Sequence, residues 1–107
     1  MNTASLHSPI VRRTIEAINQ GKLDDFMALF APDATVVDVS TYTGHKAIRH
    51  WAQRETFNVQ VRFQVEREKN AEGTVVEGHV QSVGGYNGPA TFSFTLHGNM
   101  IERLVIE

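Results

Sequence analysis

The stretch LFAPDATVVDVSTYTGHKAIRHW, residues 29–51, decides the fold. It runs from the end of a helical pattern, through a Pro-Asp turn, into a β-branched strand at residues 34–39. After a loop at residues 40–44, a second helical pattern carries Trp51 on its apolar face. Asp38 is the one acid inside the strand. A carboxylate in an apolar strand, followed by an aromatic helix, predicts a pocket.

Two helices are predicted before this strand. Ser8 and Pro9 are the residue types favoured at an N-cap and at the first helical position, and Gly21 can take the left-handed conformation that ends a helix. Residues 23–30 predict a short second helix, and Pro32 stops it because proline cannot donate the next helical hydrogen bond.

Beyond a third predicted helix at residues 45–54, the apolar period changes from helical to alternating. Three helices followed by an antiparallel meander predict an α+β fold in which one sheet wraps around the helices. Residues 1–8 are predicted to be a flexible N-terminal tail and residues 9–107 a single domain. The strands after the third helix are predicted at residues 59–66, 75–83, 91–97 and 100–106.

The composition narrows the classes of partner. The chain has 107 residues, a net charge of −2 and no cysteine. Its charges are interspersed, so no cationic face for nucleic acid is expected, and disulfides and thiolate sites are excluded. No apolar run is long enough to span a membrane, and no secretory signal is recognisable, so we expect a cytoplasmic protein. Gly84 and Gly85 join two predicted strands and do not open a helix, which argues against a nucleotide cofactor; no cofactor is expected.

Four motifs in order resemble the nuclear transport factor 2-like superfamily, in particular its SnoaL-like branch. The resemblance implies a cone-shaped curved sheet closed by helices, usually in a homodimer, with a cone that often holds a small apolar ligand. It does not choose a function, because the superfamily spans isomerases, cyclases, dehydratases, hydrolases and binding domains. The motifs are INQGKLD at residues 18–24, LFAPDATV at 29–36, GHKAIR at 44–49 and GNMIERL at 98–104.

Asp38 is the candidate catalytic residue. Its position matches the general-base aspartate of ketosteroid isomerases, and a carboxylate in an apolar pocket can have a raised pKa and move a proton next to a carbonyl. Those isomerases also stabilise the oxyanion with a first-helix tyrosine and a protonated aspartate. The corresponding positions here fall at Thr14 and near Phe92, so neither donor is present. The alternative is that Asp38 is a strand-end acid, bonded to a loop amide or partly in water.

Other side chains are candidates for contact with a ligand. Trp51 is either a core residue or a platform for the ligand, and its indole N–H needs an acceptor such as Asp38 or the ligand. Tyr42 either overhangs the mouth of the pocket or faces solvent. Glu55, one turn beyond Trp51, either shares the face of Trp51 or is a solvated acid at a helix end, and we expect the second. We also expect a ligand to contact Thr14, Phe30, Phe63 and Phe92.

The five histidines do not predict a metal site. His45 and His50 are five residues apart, whereas two ligands on one helix face need a spacing of three or four. His79 alternates with Glu77 and Gln81, and we expect this polar set to face away from the helices.

Two functions follow from these observations. The first is a cone that binds a small apolar molecule, with Asp38 as acid or base in a cofactor-independent isomerase, cyclase or dehydratase. The second is a non-catalytic association domain that dimerises through its open sheet.

Overall fold

The computed structural model describes all 107 residues. The α-helices are α1 Pro9–Gln20, α2 Leu23–Met27 and α3 His45–Ala52, and a π-helical segment, Gln53–Phe57, continues α3. The strands are β1 Phe30–Asp38, β2 Ser40–Thr43, β3 Arg62–Glu68, β4 Val75–Gln81, β5 Gly88–His97 and β6 Met100–Ile106. The predicted α+β class is confirmed.

The six strands form one sheet in the order β2-β1-β6-β5-β4-β3. All neighbouring pairs are antiparallel except β1 and β6, which are parallel. Register shifts interrupt β1–β6, β3–β4 and β5–β6, and such irregularities bend strands. A single cluster of 24 buried apolar residues packs between sheet and helices.

The structure differs most from the sequence prediction in the segment that follows the first strand. Residues 40–44 were expected to be a loop, but Ser40–Thr43 pairs with β1 as the edge strand β2. The second helix ends at Met27, and β1 begins at Phe30 and passes through Pro32. Proline is tolerated there because the β1–β6 pairing is irregular between Phe30 and Thr35, so no regular ladder bond needs its missing N–H.

Capping and one long-range contact position α1. Ser8 Oγ accepts a hydrogen bond from the backbone N–H of Val11 at 3.3 Å, and Gly21 adopts the left-handed conformation with φ 69°. Near the end of α1, the Asn19 side chain bonds both backbone groups of Phe63 in β3. This helix is therefore fixed to the edge of the sheet opposite β2.

The N-terminal residues 1–8, for which the sequence predicts a flexible tail, lie against the domain. Leu6 is buried in the core, and the backbone N–H and ring Nδ1 of His7 contact the two Glu68 carboxylate oxygens at 3.0 and 2.8 Å. As expected for β4, Val76 and Val80 are buried while His79 is exposed. No helix has the length and apolar character needed to cross a membrane.

Candidate ligand-binding cavity

A cavity of about 630 Å³ lies between the sheet, α1, α2 and α3 with its π-helical extension. Twelve of its 18 lining residues are hydrophobic, and both its volume and this lining are typical of sites that enclose a small molecule. On the sheet side, the buried part of its wall comes from the three strands β4, β5 and β6 and from the residue before β3, through Val61, Val80, Ala90, Phe92 and Leu104.

Asp38 brings a carboxylate to this apolar wall. It is the last residue of β1, and Trp51, 2% exposed on α3, donates its indole Nε1–H to Asp38 Oδ2 at 3.0 Å. The other carboxylate oxygen, Oδ1, accepts no hydrogen bond from the protein. Only Val39 separates Asp38 from its cross-strand partner Ser40, and the backbone of Val39 is left-handed with φ 65°. The tight turn and the indole together fix the direction of the carboxylate and leave Oδ1 without a partner in the protein.

An aromatic and charged cluster stands beside this pair. The Tyr42 and Trp51 rings are 6.1 Å apart, and Arg54 lies over the Tyr42 ring at 5.8 Å. The Arg54 guanidinium donates to Glu55 Oε1 at 3.0 Å and to the Tyr42 hydroxyl at 3.1 Å. The hydrogen bond to Glu55, above all, raises the pKa of Arg54 above its already high ordinary value. Tyr42 and Glu55 both line the cavity.

Four of the residues expected at a ligand site line the cavity together: Asp38, Tyr42, Trp51 and Phe92. The expected hydrogen bond between the Trp51 indole and Asp38 is present.

Thr14, Phe30 and Phe63 do not line the cavity, which corrects their expected placement. Each of the three side chains is buried and contacts other core residues. Thr14 Oγ1 donates to the Ile10 carbonyl at 2.7 Å, Phe30 packs on Phe26 with ring centroids 4.9 Å apart, and Phe63 stacks behind Phe92 at 4.4 Å. Their apolar periodicity, or helical position for Thr14, correctly indicates burial but does not distinguish core from cavity wall.

Val39, Thr56 and Tyr86 are among the lining residues that the sequence did not single out. Tyr86 belongs to the turn before β5, where its hydroxyl donates to the Pro89 carbonyl at 2.6 Å. Thr56 lies in the π-helical segment, which has no recognisable sequence signature. A helical wheel that continued α3 with ordinary geometry would have misplaced Thr56.

No histidine lines this cavity. His45 Nε2 is 2.8 Å from the Phe30 carbonyl oxygen, and His7 contacts Glu68. No three His, Asp or Glu side chains come together in an arrangement able to hold a metal ion.

Comparison with known proteins places this geometry in context. The model of the SnoaL-like domain family matches residues 11–103. No curated protein matches the sequence.

Three solved structures are similar over nearly the whole chain. A protein named as a candidate polyketide cyclase from Sinorhizobium meliloti is 25% identical, with a TM-score of 0.82 and 100% of both chains covered. A candidate ketosteroid isomerase from Kribbella flavida is 17% identical, with a TM-score of 0.74, covering 91% of this chain and 73% of the other. The Orange Carotenoid Protein of Anabaena, in a structure with canthaxanthin bound, is 20% identical, with a TM-score of 0.74; the match covers 94% of this chain and 36% of that protein. These likenesses confirm the superfamily that the sequence motifs resemble.

Proposed function

Because the chain belongs to the SnoaL-like domain family, we propose that its cavity binds a small apolar molecule and that Asp38 is the polar group that faces it. The observation that carries this proposal is the cavity of about 630 Å³ that touches Asp38. A cone filled by its own side chains would have favoured a purely structural role. The Orange Carotenoid Protein supports the proposal at the level of the fold, since that protein, 36% of which matches this chain, binds canthaxanthin.

Asp38 is also suited to proton transfer. Its Oδ2 is held by Trp51, while Oδ1 is free to approach a carbon atom of the ligand. In an isomerase- or cyclase-type step, Oδ1 takes a proton from a carbon next to a carbonyl, and the C–H electron pair moves onto the carbonyl oxygen as an enolate. Return of the proton to carbon regenerates the carboxylate. This step needs no cofactor.

The test separates binding from proton transfer. The probe is 1-acetylpyrene, a neutral apolar ketone whose fluorescence reports binding and whose acetyl protons exchange with D₂O through an enolate. We expect the wild type to bind the probe and to accelerate this exchange, measured by NMR. Asp38→Asn should keep the fold and abolish the acceleration.

Asp33→Asn is the matched control, because Asp33 is exposed on the same strand and does not line the cavity. It should behave as the wild type does. Binding by both Asp38→Asn and wild type, with equally slow exchange, would reduce the site to a binding pocket without proton chemistry. An absence of binding by the wild type would contradict the proposal as a whole.

Self-association through the sheet is the second proposal. The face of β3 and β4 opposite the core carries exposed polar side chains, including Gln64, His79 and Gln81, and no helix of the chain covers it. Sedimentation equilibrium at micromolar concentration tests this proposal, and a monomer there would rule it out.

A further inference from the structure

Buried polar side chains outside the mechanism above are few. Ser8, Thr14 and Thr56 are the polar residues that the fold buries. Ser8 caps α1 and Thr14 donates to the Ile10 carbonyl, so both have partners. The Thr56 hydroxyl, on a residue only 7% exposed, makes no hydrogen bond within the protein. Hydroxyls on buried residues nearly always have a hydrogen-bond partner, so this one is open to a water molecule or to a ligand.

Thr56 borders the proposed ligand cavity. No fully enclosed side-chain oxygen or nitrogen lacks a partner, so the free Thr56 Oγ1 must border accessible space. Thr56 lines the cavity together with Asp38 and Trp51. A partner for this hydroxyl can therefore enter with the ligand.

Local backbone geometry explains why the two buried threonines differ. Thr14 lies in a regular α-helix, where a threonine hydroxyl readily bonds the carbonyl four residues earlier, and it does so. Thr56 lies in the π-helical segment, whose i to i−5 bond is visible between the Asn58 N–H and the Gln53 carbonyl at 2.9 Å. In this wider turn the Thr56 hydroxyl does not make the bond to the carbonyl four residues earlier that Thr14 makes. Such π-helical turns occur frequently at functional sites.

The other polar groups of the cavity decide what kind of ligand group Thr56 receives. Asp38, Glu55 and Glu107 all line the cavity, and ionised carboxylates only accept hydrogen bonds. The Tyr86 hydroxyl already donates to the Pro89 carbonyl. Ser40 and Tyr42 also line the cavity, but Ser40 is exposed, and Tyr42 is half-buried with its hydroxyl accepting from Arg54 at 3.1 Å. Thr56 is the buried lining residue whose hydroxyl has no partner in the protein.

We propose that Thr56 Oγ1 donates a hydrogen bond to a carbonyl oxygen of the bound molecule, which makes the ligand class an apolar ketone, aldehyde or quinone. This assignment rests on the proposed function, since it requires a ligand in the same cavity. It gives the site a hydrogen-bond donor for the carbonyl, which Thr14 on the first helix cannot provide because its hydroxyl is bonded to Ile10.

The experiment uses matched probes and matched variants. 1-Acetylpyrene and 1-isopropenylpyrene have almost the same shape, but the second has a CH₂ group where the first has the carbonyl oxygen. Thr56→Val removes the hydroxyl and keeps the shape of the side chain, whereas Thr56→Ser keeps the hydroxyl. Fluorescence titration gives the affinity of each protein for each probe. Infrared spectroscopy of the ketone with a ¹³C-labelled carbonyl reports directly on the hydrogen bond.

We expect Thr56→Val to weaken ketone binding by about three- to tenfold, the effect of losing one neutral hydrogen bond, and to leave alkene binding within about twofold. The carbonyl band, shifted to lower frequency in the wild type and in Thr56→Ser, should return toward its unbonded position in Thr56→Val. Thermal stability should not fall, because the removed hydroxyl has no partner in the free protein.

If the wild type binds both probes and Thr56→Val changes neither affinity nor the carbonyl band, the assignment of Thr56 is overturned and the binding cavity stands. If the wild type binds neither probe, the proposed function fails and this inference fails with it.

Discussion

The indole Nε1–H of Trp51 donates to Asp38 Oδ2 at 3.0 Å, and this bond joins α3 to the end of β1 at the cavity wall. Trp51→Phe keeps an aromatic ring and removes the donor. We expect the free energy of unfolding, measured in urea, to fall by about 1–3 kcal/mol, because the smaller ring leaves a void and the carboxylate loses its partner. If the variant were as stable as the wild type and bound 1-acetylpyrene equally well, the bond from Trp51 would have no role in holding the Asp38 carboxylate in place.

The Asn19 side chain replaces a neighbouring strand for Phe63 on the edge strand β3. Its Nδ2 donates to the Phe63 carbonyl at 3.0 Å, and the Phe63 N–H donates to its Oδ1 at 2.7 Å. Asn19→Ala should lower the free energy of unfolding by about 2 kcal/mol, since two hydrogen bonds are lost at once. Gln20→Ala, at the exposed neighbouring position, is the control and should change stability by less than about 0.5 kcal/mol. Equal effects of the two substitutions would contradict this role for Asn19.

Val39 is a β-branched residue with φ 65°, and its side chain is 102% exposed. The left-handed conformation costs an ordinary residue about 1–2 kcal/mol. The exposed Val39 side chain gains no stabilisation from burial that would offset this cost in the free protein. Val39→Gly relieves that strain but adds freedom to the unfolded chain, so we expect a net gain in stability of about 0.5–1 kcal/mol. Val39→Ala should gain less, because alanine keeps a Cβ. Differential scanning calorimetry of the ligand-free protein measures both, and a lower melting temperature for Val39→Gly would contradict the strain.

Glu68 gives the N-terminal segment a pH dependence. The hydrogen bond from the His7 backbone N–H, followed by the contact with the His7 ring, lowers the pKa of the Glu68 carboxyl below its ordinary value of about 4.3. Between the lowered pKa of the folded state and the ordinary pKa of the unfolded state, the unfolded state therefore binds more protons. The stabilisation by Glu68 is complete above the ordinary pKa and is lost as the pH falls through the lowered pKa.

Melting temperatures of wild type and Glu68→Gln, measured between pH 7 and pH 3, test this contribution. The advantage of the wild type should be constant at neutral pH and should shrink below about pH 4.5 as the native carboxyl takes up its proton. A difference that stays constant over the whole range would show that the carboxylate charge contributes nothing.

The sequence predicts the parts of this molecule that depend on local pattern. Apolar periodicity finds the helices and the long strands, and Ser8 and Gly21 mark the ends of α1 because capping chemistry is local. Strand β2 was missed because Ser40–Thr43 is short and polar, with half-buried Tyr42 as its one large apolar side chain, and its strand character comes from pairing with β1.

The sequence places Asp38, Tyr42, Trp51 and Phe92 correctly at the cavity wall and misplaces other residues for physical reasons. The spacing between strand acid and aromatic helix indicates their proximity. Thr56 lines the cavity because it lies in a π-helical turn, and Phe63 does not line it because Phe92 stacks between Phe63 and the cavity. Which apolar residues border empty space is a property of packing in three dimensions, and periodicity alone does not encode it.

The central claim is that the cavity beside Asp38 holds an apolar molecule, and filling that cavity tests it most directly. Ala90 is buried, lies on β5 and lines the cavity, so Ala90→Phe places a ring in the space that a ligand would occupy. Fluorescence titration with 1-acetylpyrene should show saturable binding to the wild type at one site per chain, and Ala90→Phe, folded by circular dichroism, should lose at least about tenfold in affinity. Equal affinity of the two proteins, or no saturable binding to the wild type, would contradict the claim.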